Sequence, residues 1–387
     1  MTRVAFLMSK DPTSEHGGDV ALSREFIALA AESFDVSVIC LSSETGSCVA
    51  DFAPGSVLVT RVRKPAVRTL KLLRTAVRLR RSLVHVRFDT DELVSAIEQS
   101  DADVFVAEHG YMAESFLRSK LFGKRSLVIN THVSEALVWR ATRGLLGRIE
   151  VPRLRRDELR VALAADAVGT FDEDEADDFR KQGVAGARWF GLTLPPVDQV
   201  DVSTTPPRLV LMGTRDWPPN QEAFLYALEL WPRIAKGIPN AELCVIGAKK
   251  PGAPDPAYPK GVRDLGFVDE LGAFLGTCRA MIAPIKTGGG VRVKILEAAR
   301  MGLPVVGTGT AIGSLGAIFD LPVFDDDESF IAECRRLLTD RDAAASAGLT
   351  TFAANLEHWR QGRVGKHVDS LIRAQLPDRA EPGSGPR

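Results

Sequence analysis

Apolar residues along the chain fall into short unbroken runs that alternate with stretches of helical spacing. Residues 4–8 (VAFLM) form a continuous run ending in a polar, glycine-bearing loop over 9–19, which reads as a buried strand and a turn. Residues 20–34 space Val20, Phe26, Ile27, Leu29 and Ala30 for a helix, and 35–41 (DVSVICL) return as a second strand. This succession predicts a βαβ unit with a parallel sheet. Further runs at 56–62, 103–107, 126–131 and 166–170, with amphipathic stretches between most of them, extend that sheet.

The periodicity breaks at 191–207, where four prolines and small polar residues predict an interdomain linker. It then restarts, with strands expected at 208–212, 241–246, 279–284 and 304–307 and helices at 221–236 and 291–301. From 328 to 373 the pattern is helical. The expected organisation is a doubly wound α/β domain over 1–200, a second over 201–355, a helix over 356–373 returning to the first domain, and a flexible tail over 376–387. Ligands of open α/β sheets bind at the carboxyl ends of the strands, so two such domains predict a site in a cleft that both face.

Composition narrows the function classes. The chain has 387 residues, 45% apolar and 26% charged, near the average for a soluble enzyme. Lys and Arg total 49 against 50 for Asp and Glu, so a protein that coats nucleic acid is not expected. The cysteines Cys40, Cys48, Cys244, Cys278 and Cys334 are scattered without a C-x-x-C pair, which argues against zinc and a disulfide framework and for a reducing cytoplasm. No uncharged run approaches membrane-spanning length, and the first apolar run is too short for a signal-peptide core. A cytoplasmic protein is expected, soluble or at the inner face of the membrane.

The densest chemical signal lies at 283–304 (APIKTGGGVRVKILEAARMGLP). A strand runs into Gly288, Gly289 and Gly290 and then opens a helix, so bare backbone amides and a helix amino terminus converge on one point suited to an anion. The dipole contributes about 0.3–1 kcal/mol, and hydrogen bonds from Arg292 and Lys294 about 1.5–3 kcal/mol each. A phosphate or diphosphate is the natural guest. Glu297, one helical turn past Lys294, suits vicinal hydroxyls such as those of a ribose.

The stretch GGGVRVKILEAARMGLPVV resembles the donor-binding motif of retaining glycosyltransferases of family 4, which have the GT-B fold. Three other pieces fall in the family's order: His16-Gly17-Gly18 after the first strand, Asn130-Thr131-His132 after a later one, and Leu211 to Asn220 (LMGTRDWPPN) opening the second half. The resemblance covers nearly the whole chain. It implies transfer of a hexose from a nucleotide diphosphate sugar, GDP-mannose or a UDP-hexose, to a saccharide or glycolipid hydroxyl, with no cofactor and no metal ion. Gly17 and Gly18 then match the loop that approaches the donor phosphates, and His132 the histidine beside the donor sugar. Arg215, after Gly213, and Lys294 match the diphosphate contacts, and Glu297 the acid on the ribose. The implied catalytic set is His132, Arg215 and Lys294. Two positions depart from the family: its first paired glutamate would fall at Gly289, and the lysine usual shortly after the arginine gives way to Pro218, Pro219 and Asn220. An epimerase of the same build, or a non-catalytic nucleotide- or glycan-binding relative, are the alternatives.

Residues 61–87 carry ten Lys or Arg residues and no acid, with Leu70, Leu73, Val77 and Val84 at helical spacing, a pattern that suits anionic lipid or a solvated face. The acidic runs at 172–178 and 325–328 lack calcium-loop spacing and are expected to cap helices.

Overall fold

The computed structural model describes residues 1–52, 55–249, 252 and 254–373; the tail expected over 376–387 lies outside them. The chain divides into two compact units. The first comprises Met1–Ala136, Arg148–Phe190 and the segment from Gly365; the second comprises Leu137–Gly147 and Gly191–Val364. The first boundary thus falls ten residues before the one expected at 200, and a short piece around residue 140 groups with the second unit.

The first unit holds, in chain order, β1 (Arg3–Met8), α1 (Gly18–Ala31), β2 (Asp35–Ser42), β3 (Gly46–Phe52), β4 (Gly55–Arg63), α2 (Thr69–Leu79), α3 (Leu83–Phe88) and α4 (Asp91–Gln99). Then come β5 (Val104–Glu108), α5 (Ala113–Arg118), β6 (Ser126–Thr131), α6 (Glu135–Thr142) and α7 (Gly144–Ala164), of which residues 137–147 group with the second unit, and β7 (Ala167–Thr170), α8 (Glu173–Lys181) and β8 (Ala187–Trp189). The sheet order is β3-β4-β2-β1-β5-β6-β7-β8, parallel except for the β3–β4 pair. Strands β5 and β6 are buried along their whole length, and β1 from Val4 onward, because helices cover both faces of a parallel sheet. β3 alternates exposed and covered positions, as an edge strand does.

The second unit adds β9 (Arg208–Met212), α9 (Pro218–Ala235), β10 (Glu242–Ile246), β11 (Val262–Gly266), α10 (Leu271–Leu275), β12 (Ala280–Ala283), α11 (Val293–Met301) and β13 (Val305–Gly307). The helices α12 (Gly309–Ile312), α13 (Gly316–Phe319), α14 (Asp327–Thr339) and α15 (Arg341–Arg360) follow. Its five strands run parallel in the order β11-β10-β9-β12-β13. Trp231 of α9 is fully buried and donates its indole N–H to the Lys260 carbonyl at 2.9 Å. This meets the polar requirement of an otherwise apolar anchor.

The proline-rich stretch expected as a linker lies along the second unit. Val197 and Val200 donate their amides to the carbonyls of Arg300 and Met301, and Asn355 Nδ2 reaches the Leu194 carbonyl at 2.9 Å. The terminal helix is also not continuous from 356. α15 ends at Arg360, Gly362 adopts a left-handed φ of 62°, and α16 (Arg363–Arg373) begins beyond it. From Gly365 this helix belongs to the first unit, where Arg188 Nη1 donates to Ser370 Oγ at 3.2 Å and Arg373 lies over the Phe34 ring.

The basic stretch over 61–87 is not one helix. Arg61 ends in β4, Arg80 terminates α2 at a left-handed φ of 53°, and Val84 is buried in α3. The acidic runs behave as caps: Asp172 accepts from the Asp174 amide at the start of α8, and Asp326 from the Ser329 amide at the start of α14.

Candidate functional site

In the second unit the strand ends bring Gly213, Arg215, Asn220 and Lys294 to one pocket, which Leu211, Met212, Ala223, Phe224 and Val245 also line. Two glycines make this possible. A Cβ on Gly213 would stand 2.7 Å from the Asn220 side chain, and one on Gly247, just past β10, would stand 2.3 Å from the Gly213 carbonyl oxygen. Only bare backbone fits where the two loops nest.

Arg215 is 4% exposed and already engaged. Its Nη1 and Nη2 donate to the two oxygens of Asp264 on β11 at 2.6 and 2.8 Å, Nη2 also faces the Gly247 carbonyl at 3.3 Å, and the guanidinium lies over the Phe224 ring. Burial pushes the Asp264 carboxyl up, but Arg215, Tyr258 and Lys249, all within reach of its oxygens, hold it far below the ordinary range. Asp264, the partner of Arg215, lies on a strand 49 residues away in the chain.

Lys294 is different. Its Nζ donates to Asn220 Oδ1 at 2.9 Å, and burial pushes its ammonium down to about 8. A partly desolvated cation held by an amide oxygen is costly by itself and gains most from an incoming anion. Asn220 Nδ2 donates to the Thr214 carbonyl at 3.0 Å, which aims Oδ1 at Lys294.

In the triple-glycine bend Gly288 and Gly290 adopt φ of 115° and 88°, conformations that favour glycine, whereas Gly289 does not. A Cβ on Gly289 would meet Leu137 at 3.6 Å, ordinary contact, so the absence of an acid there is not imposed by the backbone. Arg292 donates from Nη1 to the Gly290 carbonyl at 2.8 Å and from Nε to the Thr310 carbonyl at 3.2 Å. It braces the bend against the small-residue turn before Gly313, and a Cβ on Gly313 would run into its guanidinium. Glu297 sits one turn along α11. Burial lifts its carboxyl, and Arg300 at 3.6 Å pulls it back in part.

In the first unit the ends of β5 and β6 and the start of α1 converge. Gly17 caps α1 with a φ of 152°, and Asp19 in the first turn pairs with Lys10 at 2.6 Å. Burial pushes the Asp19 carboxyl up; His109 and Lys10 more than reverse this. His132 follows β6 directly, is buried, and donates from Nε2 to Glu108 Oε2 at 2.5 Å. His109 lies beside it, ring centroids 4.5 Å apart, in a left-handed backbone conformation of φ 80° that a non-glycine residue adopts at a cost of order 1–3 kcal/mol. Burial, reinforced by His132, pushes the His109 imidazole down to about 4 against the pull of Asp19. Glu108 and His109 escaped sequence reasoning because they end an apolar run, where polar residues usually mark solvent.

On α2 the side chains of Arg68, Lys71, Arg74, Arg78 and Arg80 are exposed, as are Leu70 (78%) and Val77 (65%). Three other cations of the basic stretch are paired inward: Arg61 with Asp11 at 2.6 Å, Lys64 with Glu15 at 3.0 Å and Arg81 with Glu114 at 2.8 Å. No helix among the described residues is long and apolar enough to cross a membrane.

Residues 206–340 match the family described as glycosyl transferases group 1. No curated protein matches the chain by sequence. Among solved structures, sucrose-phosphate synthase from Thermosynechococcus elongatus is similar at a TM-score of 0.71, with 14% identity over 97% of this chain and 99% of that one. WaaG, a glycosyltransferase involved in lipopolysaccharide biosynthesis, gives 0.63 with 17% identity over 96% and 99%. Anabaena HepE, solved in complex with UDP and glucose, gives 0.65 with 14% identity over 97% and 100%. The fold is therefore GT-B, built of two parallel-sheet α/β units.

Proposed function

We propose that the protein is a retaining glycosyltransferase that moves a hexose from a nucleotide diphosphate sugar, a UDP-hexose or GDP-mannose, to a hydroxyl of a saccharide or glycolipid. The observation that carries this reading is Lys294: a desolvated ammonium in the first turn of α11, beside the glycine bend, whose described hydrogen-bond partner is the amide oxygen of Asn220. Such a cation calls for an anion, and the match of this region to glycosyl transferases group 1 makes a sugar nucleotide the fitting one. UDP is favoured because HepE has been solved with UDP-glucose as well as with UDP.

In this reading Lys294 and the amides of Gly288, Gly289 and Gly290 hold the diphosphate and stabilise the charge that develops on it as the glycosidic bond breaks. Glu297 takes the ribose hydroxyls, and Gly213 leaves room for the phosphates. Arg215 reaches the diphosphate only by giving up part of its pairing with Asp264; otherwise it shapes the wall. Gly17 and Gly18 are taken as donor contacts, and His132 as the residue that orients the sugar. The acceptor oxygen attacks the anomeric carbon on the face the diphosphate leaves, and its proton passes to a leaving phosphate oxygen, so configuration is retained. No metal ion is needed when these cations and amides carry the charge.

A glycolipid acceptor is favoured by α2, whose exposed leucine, valine and five basic side chains suit the inner face of an anionic membrane. Calorimetry with UDP, GDP and ADP, followed by turnover of the matching sugar nucleotides with candidate acceptors, tests the function. Micromolar binding of one nucleotide and acceptor-dependent release of it are expected. Failure of the folded protein to bind any of them overturns the reading, and acceptor-independent conversion of the sugar makes it an epimerase.

A further inference from the structure

The chain spends a buried carboxylate on His132, and the arrangement is more specific than packing requires. Glu108 is 1% exposed at the end of β5, where a carboxylate is costly unless donors meet its oxygens. Three do so, from two elements and the residue that follows β6. Ser23 Oγ of α1 donates to Oε2 at 2.7 Å, Asn130 Nδ2 of β6 to Oε1 at 3.0 Å, and His132 Nε2 to Oε2 at 2.5 Å. Burial pushes the Glu108 carboxyl up, and these hydrogen bonds, that of His132 first, hold it below the ordinary range.

An ionised carboxylate only accepts, so His132 carries its hydrogen on Nε2. The opposite nitrogen, Nδ1, is buried and has no hydrogen-bond partner among the described residues. The ring is kept in place by His109 on one contact and by Phe171, centroids 5.4 Å apart, on another. A buried acceptor without a donor costs about 1–3 kcal/mol, a cost that a ligand hydroxyl removes.

We infer that Glu108 is the positioning residue for His132, locking the Nε2–H tautomer so that Nδ1 is presented as an acceptor to a hydroxyl of the sugar. This rests on the proposed glycosyl transfer for the identity of the ligand, while the lock itself is a property of the protein alone. His132 then receives a hydrogen bond from the sugar, and a sugar lacking that hydroxyl is discriminated against. Ser23 and Asn130 act on Glu108 in turn: Ser23 fills the second lone pair of Oε2, Asn130 one of Oε1, and together they keep the carboxylate from rotating away.

Nitrogen-15 NMR of the histidine-labelled full chain tests the lock. His132 is expected wholly in the Nε2–H form in the wild type and as a mixture of tautomers in Glu108→Gln. In the same variant kcat is expected to fall at least about tenfold, with donor KM within about threefold and UDP affinity unchanged within about twofold, because the nucleotide contacts lie on other residues. Glu108→Asp restores the tautomer and part of kcat. An Nδ1–H tautomer in the wild type overturns the inference, as does wild-type kcat in a folded Glu108→Gln. If Glu108→Gln does not fold, the wild-type tautomer decides alone. Absence of turnover with every donor, in a protein that shows the expected tautomer, counts against the glycosyl-transfer reading and leaves the lock standing.

Discussion

At the end of β6 a histidine is held by a buried carboxylate, whereas at the start of α11 a lysine meets the oxygen of an amide. The first arrangement meets a buried carboxylate with three donors and leaves one ring nitrogen of the histidine without a partner among the described residues; the second sets a positive charge against an amide oxygen. An unpartnered ring nitrogen suits a hydroxyl group and a desolvated cation suits phosphate, so the two strand-end clusters differ in the ligand chemistry each can meet. Arg215 repeats the contrast inside the second unit. It stands in the same pocket as Lys294, yet Asp264 already neutralises it. Of two cations with similar promise in the sequence, one is paired with a buried carboxylate and the other with an amide oxygen.

Asp264→Asn probes that difference most strongly. Removing one member of a pair in which both side chains are 4% exposed is expected to cost about 3–5 kcal/mol of stability by urea unfolding. A loss below about 1 kcal/mol would mean that Arg215 does not depend on Asp264 and is free to act as Lys294 does. Lys294→Met removes the open charge and is expected to weaken UDP binding by about 2 kcal/mol, roughly 30-fold, in calorimetry while stability holds or rises. Unchanged affinity would erase the distinction.

The pH dependence sharpens it further. With the Lys294 ammonium at about 8 in the free protein, raising the pH from about 7 to about 9.5 deprotonates it, and UDP affinity is expected to fall roughly tenfold. Binding near pH 8.5 should take up protons, visible as a buffer dependence of the calorimetric enthalpy. On the folding side the sign is opposite. The lysine's folded value lies below its unfolded one, so between them the unfolded chain binds more protons and stability rises with pH from about 8 upward. Smallest are the glycines. Gly288→Ala meets a left-handed φ and is expected to cost about 1 kcal/mol, whereas Gly289→Ala, with ordinary contacts, should stay within about 0.5 kcal/mol. Equal costs would mean that the bend is not held as described.

The sequence is most legible where strands are buried on both faces. Residues 4–8, 103–107 and 126–131 are unbroken apolar runs and form β1, β5 and β6. β3 and β11 were not expected, because edge strands alternate and carry polar residues, which reads as loop. Asp264 was lost with β11, and with it the true partner of Arg215. The glycine bend and Lys294 stand out because their chemistry is local in the chain. The Glu108–His132 contact does not, since it joins two strand ends 24 residues apart and a glutamate closing an apolar run looks solvated.

The helix α16 carries a consequence for biogenesis. Val368, Leu371 and Ile372 are buried in the first unit, which is therefore assembled from segments on either side of residues 191–364 of the second. On the ribosome the second unit has all its residues while the first still lacks a wall. The earlier-made half is the later to be completed, and during that interval its nascent core waits for α16 to emerge.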